Sequence, residues 1–455
     1  MTYDDPIAAL ATPLGRSALA VVRCSGEGCI ELMATAFSRP EALREAAGHT
    51  VVYGRLLNHG REGQAELVDE LTAVVFRAPR SYTGEDVIEL VCHGSPKTVE
   101  SVLGLLRRLG FRPAEPGEFT LRAFLAGKID LTQAEAVAEL IDARTHRARS
   151  LALRRLSGSV AERINAVKAR LVEISAAVEI HLDYPEEDSS EVAPPVQALA
   201  AAIADLERLV ATYATGKRLR DGAPVAIAGR TNAGKSSLFN VLLREDRSIV
   251  SELHGTTRDY IEQGIEIDGI PVTLYDTAGL REPGGAIESE GIRRSEVIMA
   301  NAAAVVYLVD GAEPPSEPNW RQELEAVRTR SGGGVIAVWH KIDRAGAGVP
   351  PGFIGVSSVS GEGLDVLRNA LRRVILPAST AESEAAVIES DRQKQLIDRA
   401  VEALRRVREG LAEQVPLDLV AVDLQEALSA LGEITGEVSS AELLDVMFSK
   451  FCVGK

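Results

Sequence analysis

Cysteine is scarce. The 455 residues hold four, Cys24, Cys29, Cys92 and Cys452, scattered without a CxxC pair. That excludes a disulfide framework or a zinc ribbon as the basis of the fold, and it fits a reducing, cytoplasmic setting. Long apolar runs are missing too. The most apolar segment, around Ala302 to Val309, falls far short of the ~20 residues needed to span a bilayer. The acidic start MTYDDPIAALATPLG lacks the apolar core of a signal peptide, so no membrane association is expected. Positive charge is the third shortage, with 50 Lys+Arg against 66 Asp+Glu and a net charge of −16. Nonspecific nucleic-acid binding rests on cationic neutralisation of phosphates, so any RNA contact must be local or carried by a partner.

What is present is ample core material: 45% of residues are apolar and 25% charged. At ~100 to 200 residues per domain, two to four domains are expected, each able to bury its own core. Residues 1–118 alternate short apolar runs with turn residues around one helical stretch, Lys97 to Leu109, and read as a compact α+β domain. Residues 119–218 turn helical. There Leu156, Val160, Ile164, Val167, Leu171, Ile174, Val178 and Leu182 step by three or four, which predicts one face of a long bundle helix. Residues 219–376 alternate β-rich runs (PVAIAG, PVTLYDTAG, AAVVYLVDG, GVIAVWHKID, FIGVSS) with helical segments, the rhythm of a mostly parallel sheet. Residues 377–455 return to helices, Asp391 to Leu411 and Leu424 to Leu431. The simplest architecture inserts the α/β domain into a helical domain; two independent helical domains are the alternative.

Gly229-Arg230-Thr231-Asn232-Ala233-Gly234-Lys235-Ser236 fits GxxxxGK[ST], directly after a strand and before an apolar helix. In that context the loop amides of Asn232, Ala233 and Gly234, continuing into Ser236 and Ser237, converge on phosphate oxygens. Lys235 reaches the outer phosphates, and the Ser236 hydroxyl can ligate magnesium. Asp276-Thr277-Ala278-Gly279 ends a later strand, where a carboxylate can hold the metal's water shell and the Gly279 amide can sense a γ-phosphate. His340-Lys341-Ile342-Asp343 ends another. There Asp343 can accept two hydrogens from the guanine edge and the Lys341 stem can lie on the ring, while His340 replaces the Asn of the usual NKxD and can still donate one hydrogen bond. Ser357 and Ser358 match, more weakly, the loop that touches the guanine carbonyl. Leu280 stands where Ras-type enzymes carry a water-orienting Gln, so hydrolysis must recruit another group.

The segments DPIAALATPLGR, PRSYTGEDVIELVCHG, EPGEFTLRAFLAGKIDLTQAEAVAELIDA, GRTNAGKSSLFN, GTTRD, DTAGLRE and FSKFCVGK together resemble the MnmE (TrmE) family of tRNA modification GTPases, in the class of Era and EngA. The resemblance implies an N-terminal α+β domain, a helical bundle domain and a Ras-like P-loop GTPase domain inserted into the latter. It also implies a homodimer, bound formyl-tetrahydrofolate, and GTPase domains that pair across potassium. With the FAD-dependent partner MnmG, the family adds an aminomethyl or carboxymethylaminomethyl group to carbon five of the wobble uridine of certain tRNAs. By motif position, Asn232, Ser251, Leu253 and Thr256 would hold potassium, and Thr257 would join Ser236 on magnesium. Glu288 would orient the attacking water, with Lys235 and Arg258 as further catalytic groups. Arg23, Glu89, Lys128 and Lys455 would meet the folate. Cys452 reads either as a nucleophile or as a buried structural cysteine. The acid-free cluster of Arg144, His146, Arg147, Arg149, Arg154 and Arg155 reads either as a tRNA or partner surface or as a solvated helix face. An Era-type ribosome-assembly GTPase is the alternative function; it would need an RNA-binding module with a GxxG loop after the GTPase core.

Overall fold

The alternating apolar pattern of the first hundred residues folds into a six-stranded sheet: β1 (Ile7–Leu10), β2 (Leu19–Ser25), β3 (Thr50–His59), β4 (Ala65–Phe76), β5 (Val87–His93) and β6 (Arg112–Pro113). The order is β3-β4-β5-β2-β1-β6, antiparallel except where β6 runs parallel to β1. Along β4, Leu71, Ala73 and Val75 are buried and their neighbours are not, the period of two that a sheet with one core-facing side requires. The helix Pro96–Leu109 covers that side with Val99, Val102, Leu105 and Leu106. Register places Arg23 of β2 directly opposite Glu89 of β5. This is a computed structural model, and it describes residues 5–59, 65–183, 196–245, 262–276, 293, 296–344, 348–376 and 386–454. In it the chain divides into two compact units, Met1–Ala138 with Leu431–Lys455, and Glu139–Ala430. In the first, the helix Ala441–Phe448 packs against Glu118–Leu125. Gly117 permits this: its φ is 69°, and a Cβ there would stand 2.7 Å from the Phe448 carbonyl oxygen.

The second unit holds the other sheet, β7 (Ala223–Gly229), β8 (Glu262–Ile267), β9 (Ile270–Asp276), β10 (Ala304–Asp310), β11 (Gly334–His340) and β12 (Ile354–Val356). Its order is β12-β11-β10-β7-β9-β8, parallel throughout except at the edge pair β8 and β9. This is the Ras-like arrangement expected for the P-loop. Central strands are apolar on both faces, and every residue from Ala304 to Val309 is buried.

The sheet is inserted. Helices Val196–Ala211 before it and Asp391–Ala412 after it pack together, and Ile203, Leu206, Ala400 and Leu404 are among their buried residues. The entry and exit strands of chain lie side by side. Thr212 Oγ1 accepts the Ile388 amide at 3.2 Å, Lys217 Nζ pairs with Asp391 at 3.2 Å, and Arg218 donates to the Ile375 carbonyl. The expected single helix through Leu156 and Leu182 is corrected: Ser157 and Gly158, the latter at φ 97°, break it into His146–Leu156 and Ser159–Asp183. Val160, Ile164, Val167, Leu171, Ile174 and Val178 keep their common buried face, whereas Leu182 is exposed. The helix expected from Leu424 to Leu431 spans Leu417–Thr435. Among the described residues no helix is long and apolar enough to cross a membrane.

Candidate functional site

The carboxyl ends of the parallel strands converge, the place where open α/β sheets take ligands. β7 ends at Gly229, at φ 145°, where a Cβ would lie 2.4 Å from the Leu308 carbonyl oxygen of β10. Asn232 (φ 66°) and Gly234 (φ 93°) then turn the chain left-handed into the helix Lys235–Glu245. The first amides of that helix have no intrahelical partners and carry the positive end of its dipole, which makes the loop an anion cradle. Lys235 is buried and its Nζ donates to the carbonyls of Gly229 at 2.9 Å and Arg230 at 2.8 Å, placing a cation within the loop. The Ser236 hydroxyl donates to Asp276 Oδ2 at 2.8 Å, joining the helix start to the end of β9. A hydroxyl and a carboxylate side by side are hard oxygen donors of the kind magnesium takes. Ser237 follows, exposed.

At the other end of the cleft, His340 is 2% exposed. Its Nδ1 lies 2.9 Å from the Ala233 carbonyl and its Nε2 2.7 Å from the Ser358 hydroxyl. Burial holds its pKa below the usual imidazole range, so the ring is neutral near pH 7. Lys341, at φ 62°, sends Nζ to the Asn232 carbonyl at 2.8 Å and to Asp310 Oδ2 at 2.7 Å, tying the base loop to the phosphate loop. Ser357 is fully buried; its hydroxyl donates to Asp343 Oδ1 at 2.6 Å and accepts from the amides of Val359 and Ser360. That donation holds the Asp343 carboxyl below the usual carboxylate range. The structure thus brings Asn232, Ala233, Gly234, Lys235, Ser236, Asp276, His340, Lys341, Asp343, Ser357 and Ser358 together at the carboxyl end of the sheet, through the hydrogen bonds that link their loops. Ser251, Leu253, Thr256, Thr257, Arg258, Gly279, Leu280, Glu288 and Lys455 lie outside the described residues.

A second constellation sits in the first unit. Arg23 pairs with Glu89 at 2.8 Å, donates to the Gly454 carbonyl at 3.2 Å, and has its guanidinium 5.5 Å from the Tyr82 ring centroid and 5.7 Å from that of Phe119. Lys128 is exposed and donates to the Pro79 carbonyl at 2.8 Å.

The family model described as MnmE helical domain matches residues 131–452, and the one described as GTP-binding protein TrmE N-terminus matches residues 6–128. The tRNA modification GTPase MnmE of Carboxydothermus hydrogenoformans is 40% identical over 466 residues, covering 99% of this chain and 100% of that protein. The same-named protein of Treponema denticola is 42% identical over 471 residues, covering 100% of this chain and 99% of its own. The chain belongs to the MnmE family of tRNA modification GTPases. Among solved structures, the G domain of the T. maritima FeoB iron transporter is 25% identical, covering 34% of this chain and 99% of that chain at a TM-score of 0.26. The strand order, not that likeness, identifies the fold.

Membership of the MnmE family leaves three corrections to the residue reading. Cys452 is exposed, so it is not a buried structural cysteine, whereas Cys24, Cys29 and Cys92 are buried. Arg155 leaves the basic cluster: it is 1% exposed and ion-paired with Glu139 and Glu389, while Arg144, His146, Arg149 and Arg154 remain exposed. After the sheet the described chain is helical, Asp391–Ala412, Leu417–Thr435 and Ala441–Phe448, where an Era-type reading would place an RNA-binding module. Asp310 was missed as a partner of Lys341, although an Asp closing the apolar run AVVYLVD is a signal of the same kind as Asp276 closing IPVTLYD. Tyr82 and Phe119 were missed because one lies in the loop before β5 and the other in the helix Glu118–Leu125, and only the folded domain brings them to Arg23.

Proposed function

We propose that this MnmE-family chain is a potassium-activated GTPase of the cytoplasm. As a homodimer acting with MnmG, it would add an aminomethyl or carboxymethylaminomethyl group to carbon five of the wobble uridine of certain tRNAs. The observation that carries the reading is one cleft holding a buried P-loop lysine, the Ser236 and Asp276 pair, and the Ser357-anchored carboxylate of Asp343. That cleft lies in a chain about 40% identical along its whole length to tRNA modification GTPases. Ser236, with Thr257, would hold magnesium, and Asp276 would accept from its water shell; the ion neutralises phosphate charge when bound. Lys235 meets the outer phosphates, and Asp343 reads the guanine edge. Leu280 cannot orient water, and by the family resemblance Glu288 would take that role. Asn232, Ser251, Leu253 and Thr256 would hold potassium, which adds positive charge in place of an arginine finger.

In the N-terminal part, the Arg23 and Glu89 pair offers a forked donor and a carboxylate acceptor between two aromatic rings. That chemistry suits the amino edge, flat ring and carboxylates of formyl-tetrahydrofolate, with Lys128 and Lys455 as further cations. The division into 1–118, 119–218, 219–376 and 377–455 is proposed as the functional one, with the GTPase cycle confined to the third segment.

The test is GTP turnover of the full chain in potassium and in sodium at equal ionic strength. Turnover on the order of 100-fold faster in potassium is expected, the low end for one well-placed group on developing charge. Equal rates overturn potassium activation, and no turnover in either salt overturns the GTPase assignment. Glu288→Ala should slow hydrolysis and leave GTP affinity nearly unchanged; a parallel loss of affinity would remove Glu288 from the water-orienting role.

A further inference from the structure

His340 stands at the end of β11 where an amide side chain was expected, and its two ring nitrogens are both engaged by the protein. A carbonyl oxygen can only accept, so the Nδ1 facing Ala233 at 2.9 Å carries the proton. Nε2 is then the acceptor of the Ser358 hydroxyl at 2.7 Å. Neutral imidazole has one N–H and one lone-pair nitrogen, so nothing is left over. Turning the ring over would face carbon against both partners and lose both bonds. The ring is also wedged: a Cβ on Gly234 would lie 2.2 Å from Nδ1, so the imidazole occupies the space beside the P-loop that the missing side chain leaves. Asparagine in the same place has two N–H donors. It could satisfy the Ala233 carbonyl with one and offer the other to an acceptor on a purine.

We infer that His340 is a loop staple and not a base reader, so that this chain recognises guanine through the Asp343 edge and leaves N7 of the purine without a side-chain donor from position 340. The inference rests on the nucleotide reading proposed above and sharpens it. Specificity moves onto the hydrogens of N1 and the 2-amino group, which Asp343 can accept. The five-membered ring is held by shape alone at this position.

The experiment displaces a ribose-labelled fluorescent GDP from the full chain with GTP, 7-deaza-GTP, in which N7 is a C–H, and ITP, which lacks the 2-amino group. The wild-type chain should bind GTP and 7-deaza-GTP within about twofold of each other and bind ITP clearly more weakly. His340→Asn should restore a preference for GTP over 7-deaza-GTP of about three- to tenfold, the scale of one neutral hydrogen bond. A wild-type preference above about fivefold overturns the inference, and it does so without the variant, so a poorly folded His340→Asn cannot shield it. A His340→Asn chain that folds and still binds both nucleotides equally also counts against it, since the second amide N–H would then have no effect. Failure of the wild-type chain to bind any guanine nucleotide is a separate result, which removes the nucleotide reading and this inference with it.

Discussion

Asp343→Asn should weaken GTP binding on the order of 100-fold and improve binding of xanthosine triphosphate, whose ring presents an oxygen where guanine has its amino group. The carboxylate is held ready: Ser357 is fully buried, donates to Asp343 Oδ1 at 2.6 Å, and is itself fixed by the amides of Val359 and Ser360. One oxygen is oriented by that bond and the other is left facing outward, 3.8 Å from Arg344. An amide in this position offers a donor where guanine also offers a donor, and that mismatch in a site built for the opposite pattern is what separates the two bases. Competition assays with GTP, XTP and ATP measure it. Unchanged GTP affinity in the variant would move base recognition elsewhere and would undo the assignment of Asp343.

The largest loss of stability should follow Arg155→Met. Arg155 is 1% exposed and pairs with Glu139 at 2.7 Å and with Glu389 at 2.9 Å; Glu389 is itself 3% exposed. Removing the cation leaves two carboxylates in a poorly hydrated site, and breaking a buried pair in this way costs about 3–5 kcal/mol. Burial already pushes the Glu389 pKa above the usual carboxylate range, with Arg155 working against that rise. The sign of the pH effect follows. With a raised folded-state pKa, the group contributes most to stability at low pH, and that contribution fades as pH rises through the folded value. Without Arg155 the rise is larger, so the deficit of Arg155→Met in denaturant midpoint should shrink as the pH falls from about 8 to about 5.5. Adding Glu389→Gln should recover part of the loss at pH 8. A deficit that stays constant with pH, and that Glu389→Gln does not touch, would mean the carboxylates reach water in the variant.

These two residues also mark how far the sequence could be read. Asp343 was legible because a nucleotide site on a parallel sheet is assembled from short runs at strand ends, so Lys235, Ser236, Asp276 and Asp343 each carry their own local signature. Arg155 was not. It sits in an acid-free run and looks like surface, and its partners lie 16 and 234 positions along the chain. Periodicity placed Val160 through Val178 on a buried face correctly, yet it ran straight through Gly158, because a three-or-four step can continue across a helix break. Arg23 and Glu89 were found by resemblance alone; the cross-strand register that makes them neighbours is a property of the folded sheet. His340 was recognised as a departure, but the engagement of both its ring nitrogens, by the Ala233 carbonyl and the Ser358 hydroxyl, is a property of the folded loops that no local motif carries.

The contact between Arg23 and the Gly454 carbonyl joins positions 431 residues apart, and that distance is also a delay. At the ~5–20 residues per second of synthesis, the partner of Arg23 emerges roughly 20 to 90 seconds after Arg23 itself. During that interval the Arg23 and Glu89 pair lacks the Gly454 carbonyl, and Gly117, once made, waits for Phe448. The unit Glu139–Ala430, by contrast, has every residue it needs before the stretch beginning at Leu431 has been made. The order of completion therefore runs against the order of translation: the unit holding the first sheet is the later of the two to be completed, because it alone waits for the stretch from Leu431, and a ribosome that stops early releases a complete second unit with the contact of Arg23 to Gly454 unmade.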